Sequence, residues 1–99
     1  MAVYVDDAMI PYRNMKMSHM VADHTDELLD MARTIGVKVM WLQYRDTHRE
    51  HFDICSSKRE LAIKAGAIKV SQKELATIVS KRSHQSPGRR ESDSIQERT

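Results

Sequence analysis

Met15-Lys-Met-Ser-His-Met-Val-Ala-Asp-His-Thr-Asp-Glu-Leu-Leu-Asp-Met-Ala-Arg-Thr-Ile-Gly36 changes period midway, and that change decides the fold class. From Met15 to Val21 the side chains alternate, Met15, Met17, His19 and Val21 against Lys16, Ser18 and Met20. That is the period of a half-buried strand, with His19 on the Met/Val face. Leu28, Met31, Ala32 and Ile35 then recur at helical spacing. Asp23 or Thr25 is placed to cap this helix, Asp26 and Glu27 suit the unpaired amides of its first turn, and Gly36 supplies the stop. A strand that feeds directly into a helix predicts an α/β chain.

On the N-terminal side, Ala2 to Val5 is a short β-branched and aromatic run that reads as a strand delivering Asp6 and Asp7 to its end. Pro11 and Asn14 mark a loop before the next strand. On the C-terminal side, Val37 to Leu42 is mostly apolar on both faces, as expected of a third strand inside the sheet. Gln43 to Glu50 is polar and reads as a loop leading into the compact segment His51-Phe52-Asp53-Ile54-Cys55. Ser57-Lys58-Arg59-Glu60 has the spacing of a capping box, and the helix it opens carries Leu61, Ala62 and Ala65 and stops at Gly66. Ala67 to Val70 is a fourth strand. Ser71-Gln72-Lys73-Glu74 is a second box opening a last helix with Leu75, Ile78 and Val79 on one side. The two boxes are not an internal repeat, because their surroundings do not otherwise match. The expected architecture is a small mixed sheet of about four strands with about three helices, in the order β-β-α-β-α-β-α. Residues 1–82 form a single α/β domain in this reading. Residues 83–99 form a flexible polar tail, with Ile95 their one sizeable apolar group.

Composition narrows the function classes. The 99 residues hold no apolar run near the roughly 20 residues a membrane-spanning helix requires. The N-terminus has no signal-peptide pattern, and the lone Cys55 fits a reducing compartment, so a cytoplasmic protein is expected. The net charge of +2 is small but unevenly spread: residues 1–35 carry six acids against three bases, and residues 36–82 ten bases against five acids. That division suits a cation near the first half and a phosphate near the second, or simply a solvated surface of mixed sign. Tyr12, Trp41 and Tyr44 are scattered rather than interleaved with bases, so sequence-specific nucleic-acid binding is not expected.

Asp6, Asp7, His19, Asp23, His51 and Asp53 all fall at or beside element ends, where α/β sites form. Converged, Asp6, His19, His51 and Asp53 offer oxygen and nitrogen ligands for manganese, zinc or magnesium, and His51, Asp53 and Asp6 offer acid/base catalysis. His51 and Asp53, two apart in an extended segment, share one side and are the best pair. No strong metal signature is present; His48-x-x-His51 with Asp46 nearby is only suggestive. The structural alternatives are plain: Asp6 and Asp7 ending a turn, His19 bonded within the core, and Asp23 capping a helix. Ser57, Lys58 and Arg59 at a helix start suit a phosphate, or are a capped helix with solvated cations. Cys55 reads as a buried small hydrophobe before it reads as a nucleophile, and the Met15, Met17, Met20 stripe as core filling.

Val-Tyr-Val-Asp-Asp at 3–7, Ser-His-Met-Val-Ala-Asp at 18–23, His-Phe-Asp-Ile at 51–54, and Lys-Arg with Ala-Gly-Ala at 58–67 occur together. Across about residues 2–78 they resemble a family of small bacterial and phage proteins catalogued as domain of unknown function four-zero-three-one. The resemblance implies a recurring polar pattern at Asp6, His19, Asp23, His51, Asp53 and Arg59, with Tyr more usual where Phe52 stands. His48 and Asp46 have no counterpart in it. It brings no reaction, and it implies an accessory phage protein, in the host cytoplasm if phage-encoded. Two functions follow. The first is a metal-assisted phosphoester hydrolase or nucleotide-processing enzyme acting on a small phosphorylated substrate. The second is a non-catalytic binding module, with a homodimer as one form, that docks on a host or phage protein.

Overall fold

The computed structural model describes residues 2–85. Its elements are β1 (Val3–Val5), β2 (Ile10–Tyr12), β3 (Met15–Ala22), α1 (Thr25–Ile35), β4 (Phe52–Cys55), α2 (Ser56–Lys64), β5 (Ile68–Lys69) and α3 (Gln72–Gln85). Five strands make one mixed sheet. β3 is its spine: Val3 pairs with Ala22 and Val5 with Met20, Ile10 pairs with Met17, and β4 runs antiparallel with His19 opposite Asp53. Met17 pairs with both β2 and β4, and Met20 with both β1 and β4, so β4 takes one edge of β3 while β1 and β2 share the other. β5 extends the sheet parallel to β1.

Between the β1 and β2 pairings, residues 6–9 stand opposite only residues 18 and 19. This bulge kinks the strand, and Met9 takes a left-handed backbone (φ 51°) to make it. The Asp6 amide still donates to the His19 carbonyl at 3.1 Å, so the kink comes directly after the aspartate.

The core lies between one sheet face and helices α1 and α2. Val5, Met20, Phe52 and Ile54 meet Leu28, Ala32 and Ile35 of α1 and Ala62 of α2. Burying a side chain such as Phe52 is worth about 1.5–3 kcal/mol. Alternation puts Tyr4, Asp6, His19, Val21 and Asp53 on the opposite face, which α3 partly covers through the buried Leu75. The deeper face of β3 is therefore Ser18, Met20 and Ala22, not the Met/Val face that carries His19. Phe52 and Ile54, arriving on β4 beside Met20 and Ser18, fix that choice.

The α/β class, mixed sheet and three helices are as read from the sequence, with corrections at four places. Val37 to Leu42 is not a strand. The Val37 amide bonds back to the Ala32 carbonyl around left-handed Gly36, and Val39–Trp41 make a 3-10 turn with all three side chains exposed. Ile10–Tyr12, read as loop, is a strand instead, with Pro11 in it. The cap of α1 is His24, which makes no side-chain cap bond; Thr25 is the first helical residue. α2 starts one residue early, at Ser56, so Ser57 bonds to Cys55 and Glu60 faces Arg59 rather than forming a box. The second box forms as expected: the Glu74 amide donates to Ser71 Oγ at 3.0 Å and the Ser71 amide to Glu74 Oε1 at 2.8 Å. α3 continues through residues 83–85, and the rest of the proposed tail lies outside the described residues. No described helix is long and apolar enough to cross a membrane.

Candidate functional site

The bulge turns the Asp6 carboxylate back over β3. Its Oδ1 accepts the backbone amides of His19 at 2.8 Å and Ala8 at 3.2 Å, and Oδ2 meets His19 Nδ1 at 2.7 Å. The two amides can only donate, so the Asp6 carboxylate accepts from them, and against the same carboxylate His19 Nδ1 is the donor. Asp6 is 1% exposed whereas the His19 side chain keeps 32%, so aspartate orients and histidine faces solvent. Nε2 of His19 is left with its lone pair outward.

His51 reaches the same state by another route. Its Nδ1 lies 2.8 Å from the Arg49 carbonyl, which can only accept, so Nδ1 donates and Nε2 is turned toward the cluster. Asp53 meets both rings: its Oδ1 is 3.4 Å from His51 Nε2 and 3.9 Å from His19 Nε2, while Oδ2 accepts Gln43 Nε2 at 2.9 Å. The two imidazoles meet edge to face at 5.5 Å. Asp6, His19, His51 and Asp53 are thus brought together in one chain of contacts.

The remaining residues divide. Arg59 joins the cluster as a clamp, its Nε donating to the Asp6 carbonyl at 2.7 Å. Lys58 lies over the end of α1, its Nζ 3.1 Å from where a Cβ on Gly36 would stand. Ser57 contacts Cys55 Sγ at 3.3 Å. None of the three lines the cleft. Asp23 stands at the far end of β1, its amide bonded to the Ala2 carbonyl, beside Tyr4, whose hydroxyl is pushed up by burial and then by Asp23 and Glu27. Asp7 accepts the Gln72 amide at 3.1 Å and so holds the start of α3. Asp46 faces Thr25 and Arg45 rather than the histidines. Cys55 is half-exposed, not buried, and its thiol is held below the usual range, first by the Ser57 hydroxyl and then by the Lys58 amide.

Two contributions carried no signal in the sequence. Glu50, fully buried, accepts Thr25 Oγ1 at 2.8 Å and the Asp46 amide at 2.9 Å, pinning the 43–51 loop to α1. Arg49 brings a cation to the histidines. Both lie in a polar stretch without periodicity, where only tertiary contacts distinguish one charge from another.

The cleft over these groups has a volume of about 290 Å³. Asp6, His19 and His51 make its polar side, and Leu75, Ala76 and Val79 of α3 its apolar wall. Among the described residues, no three histidine, cysteine, aspartate or glutamate side chains already converge as metal ligands.

Fold and cleft together define a small α/β domain with two histidines under α3, one oriented by a buried carboxylate and the other by a backbone carbonyl. Residues 3–82 match the model of the family described as protein of unknown function (DUF4031), and the chain belongs to that family. No curated protein and no solved structure matches it.

Proposed function

We propose that the chain is a small phosphoester hydrolase. The observation that carries this reading is the 2.7 Å contact of His19 Nδ1 with buried Asp6, which turns Nε2 outward as a base beside His51, whose own Nε2 faces Asp53. Two imidazoles and the cationic Arg49 in one lining favour an anionic ester. In the step proposed, a water oxygen bonds to phosphorus as its proton passes to His19 Nε2. The ester bond to phosphorus breaks, and the leaving oxygen takes a proton from protonated His51, whose imidazolium Asp53 Oδ1 stabilises.

A divalent cation, manganese, zinc or magnesium, belongs to the same reading. His19, His51 and Asp53, whose Oδ1 lies 3.4 Å from His51 Nε2 and 3.9 Å from His19 Nε2, are the residues that would hold it once drawn together, with Asp6 behind His19. Such an ion would supply a Lewis acid for the phosphoryl oxygen and would lower the pKa of an attacking water.

A binding module that docks on a host or phage protein, or on a second copy, is the second reading. It is favoured by Met40 and Trp41, which are 78% and 57% exposed.

The test is hydrolysis of a chromogenic aryl phosphate and of nucleoside monophosphates, with chelator and then with each ion, alongside melting curves. Asp6→Asn should lose about 10²–10⁴ in rate while remaining folded. An ion at about a hundred times its dissociation constant adds roughly 2.7 kcal/mol and several degrees to the melting temperature, and His51→Ala should abolish that gain. A folded protein with no turnover under any of these conditions would sink the hydrolase and bring the binding module forward.

A further inference from the structure

The phosphate residues expected from the sequence, Ser57, Lys58 and Arg59, do not line the cleft, which has a cation of its own. The Arg49 guanidinium lies over the Tyr44 ring, Cζ 4.4 Å from the centroid, and lines the cleft with His19 and His51. Among the described residues, no carboxylate stands within ion-pair distance of it. Stacking occupies the face of a guanidinium and leaves its N–H edge for a ligand.

Residue 49 is also held in place. Gln43 and His51 exchange backbone hydrogen bonds at 3.0 and 3.1 Å across the loop, and the Arg49 amide donates to Thr47 Oγ1 at 3.2 Å. Its carbonyl receives His51 Nδ1 at 2.8 Å, and Tyr44 in turn stacks on His51 at 6.0 Å. One short loop therefore sets the tautomer of a histidine and the position of a cation beside it. A side chain positioned in advance loses little entropy on binding.

We propose that Arg49, stacked on Tyr44, is the phosphate-binding residue of this cleft, and that the ligand is a phosphate monoester whose apolar body lies against Leu75, Ala76 and Val79. The substrate assignment rests on the hydrolase reading; the binding itself does not. The planar N–H fork pairs two phosphate oxygens at once, which an ammonium cannot do. The apolar wall of α3 keeps water from one side and so strengthens the pair.

The experiment is calorimetric titration of the full chain with inorganic phosphate, in chelator and at constant ionic strength, with acetate as the competing anion. Wild type should saturate. Arg49→Ala should weaken binding tenfold or more, and Arg49→Lys severalfold, because charge alone does not replace the fork. Tyr44→Phe, which keeps the ring, should match wild type. Arg45→Ala, with the same charge change in the same loop, and Lys58→Ala should stay within twofold. Binding by Arg49→Ala within twofold of wild type would overturn the proposal, as would an equal loss in Lys58→Ala or equal competition by acetate. Arg49-dependent phosphate binding without turnover of any ester would leave the site standing and remove only the hydrolase reading.

Discussion

Asp6 and Cys55 each end a strand, and their differing surroundings give them opposite roles. Asp6 is enclosed and surrounded by donors, so it holds the His19 ring and backbone in place. Cys55 is half-exposed at the start of α2, and the Ser57 hydroxyl and the Lys58 amide favour its thiolate. A thiol whose ionisation is easier in the folded protein than in the unfolded chain contributes stability that is present at high pH and fades as pH falls through its folded-state value. The more direct measurement is reactivity. The pH midpoint for alkylation of Cys55 by iodoacetamide should lie below the ordinary thiol value of 9.0, and Ser57→Ala should move it upward. A midpoint in Ser57→Ala equal to that of wild type would mean that the hydroxyl does not hold the thiolate.

Element ends are where sequence and structure agree least, and the two capping boxes show why. Both have the same spacing, but only Ser71 and Glu74 satisfy each other. At α2, β4 passes into the helix without a break, so the first turn begins at Ser56 and leaves Ser57 inside it. Ser71→Ala should therefore cost about 1 kcal/mol, the usual value of an N-cap, whereas Ser57→Ala should cost a few tenths. Urea denaturation of the two variants gives the comparison; equal losses would mean that the cap of α3 carries no more than an ordinary surface serine. α1 was legible because its apolar stripe and its glycine stop are local signals. Val37 to Leu42 misled because a short apolar run has no period to separate a buried strand from a surface turn. In the fold, the Val37 amide bonds back to the Ala32 carbonyl and Val39–Trp41 close a 3-10 turn, contacts that no short window of sequence displays.

For the molecule as a whole, the sheet divides core from cleft. α1 and α2 press on one face to make the core, while α3 leaves a cleft on the other. Element ends singled out six polar residues, of which Asp6, His19, His51 and Asp53 meet while Asp7 and Asp23 do not. The direction each proton points was not legible, because it depends on a bulge at Asp6 and on the carbonyl of Arg49. Among the described residues, four that are not glycine adopt left-handed backbone, Met9, Arg13, Tyr44 and Asp46, in a chain with three glycines. Arg13 occupies the first central position of the two-residue turn between β2 and β3, where glycine is the usual occupant. Arg13→Gly should raise the urea midpoint by the equivalent of about 0.5–1 kcal/mol, and no gain would mean that the turn is not strained. Tyr44→Gly would relax the same kind of backbone but remove the ring beneath Arg49. A population evolved under heat alone would accumulate glycine at both positions, whereas one that must also keep its ligand would accept it at 13 and refuse it at 44.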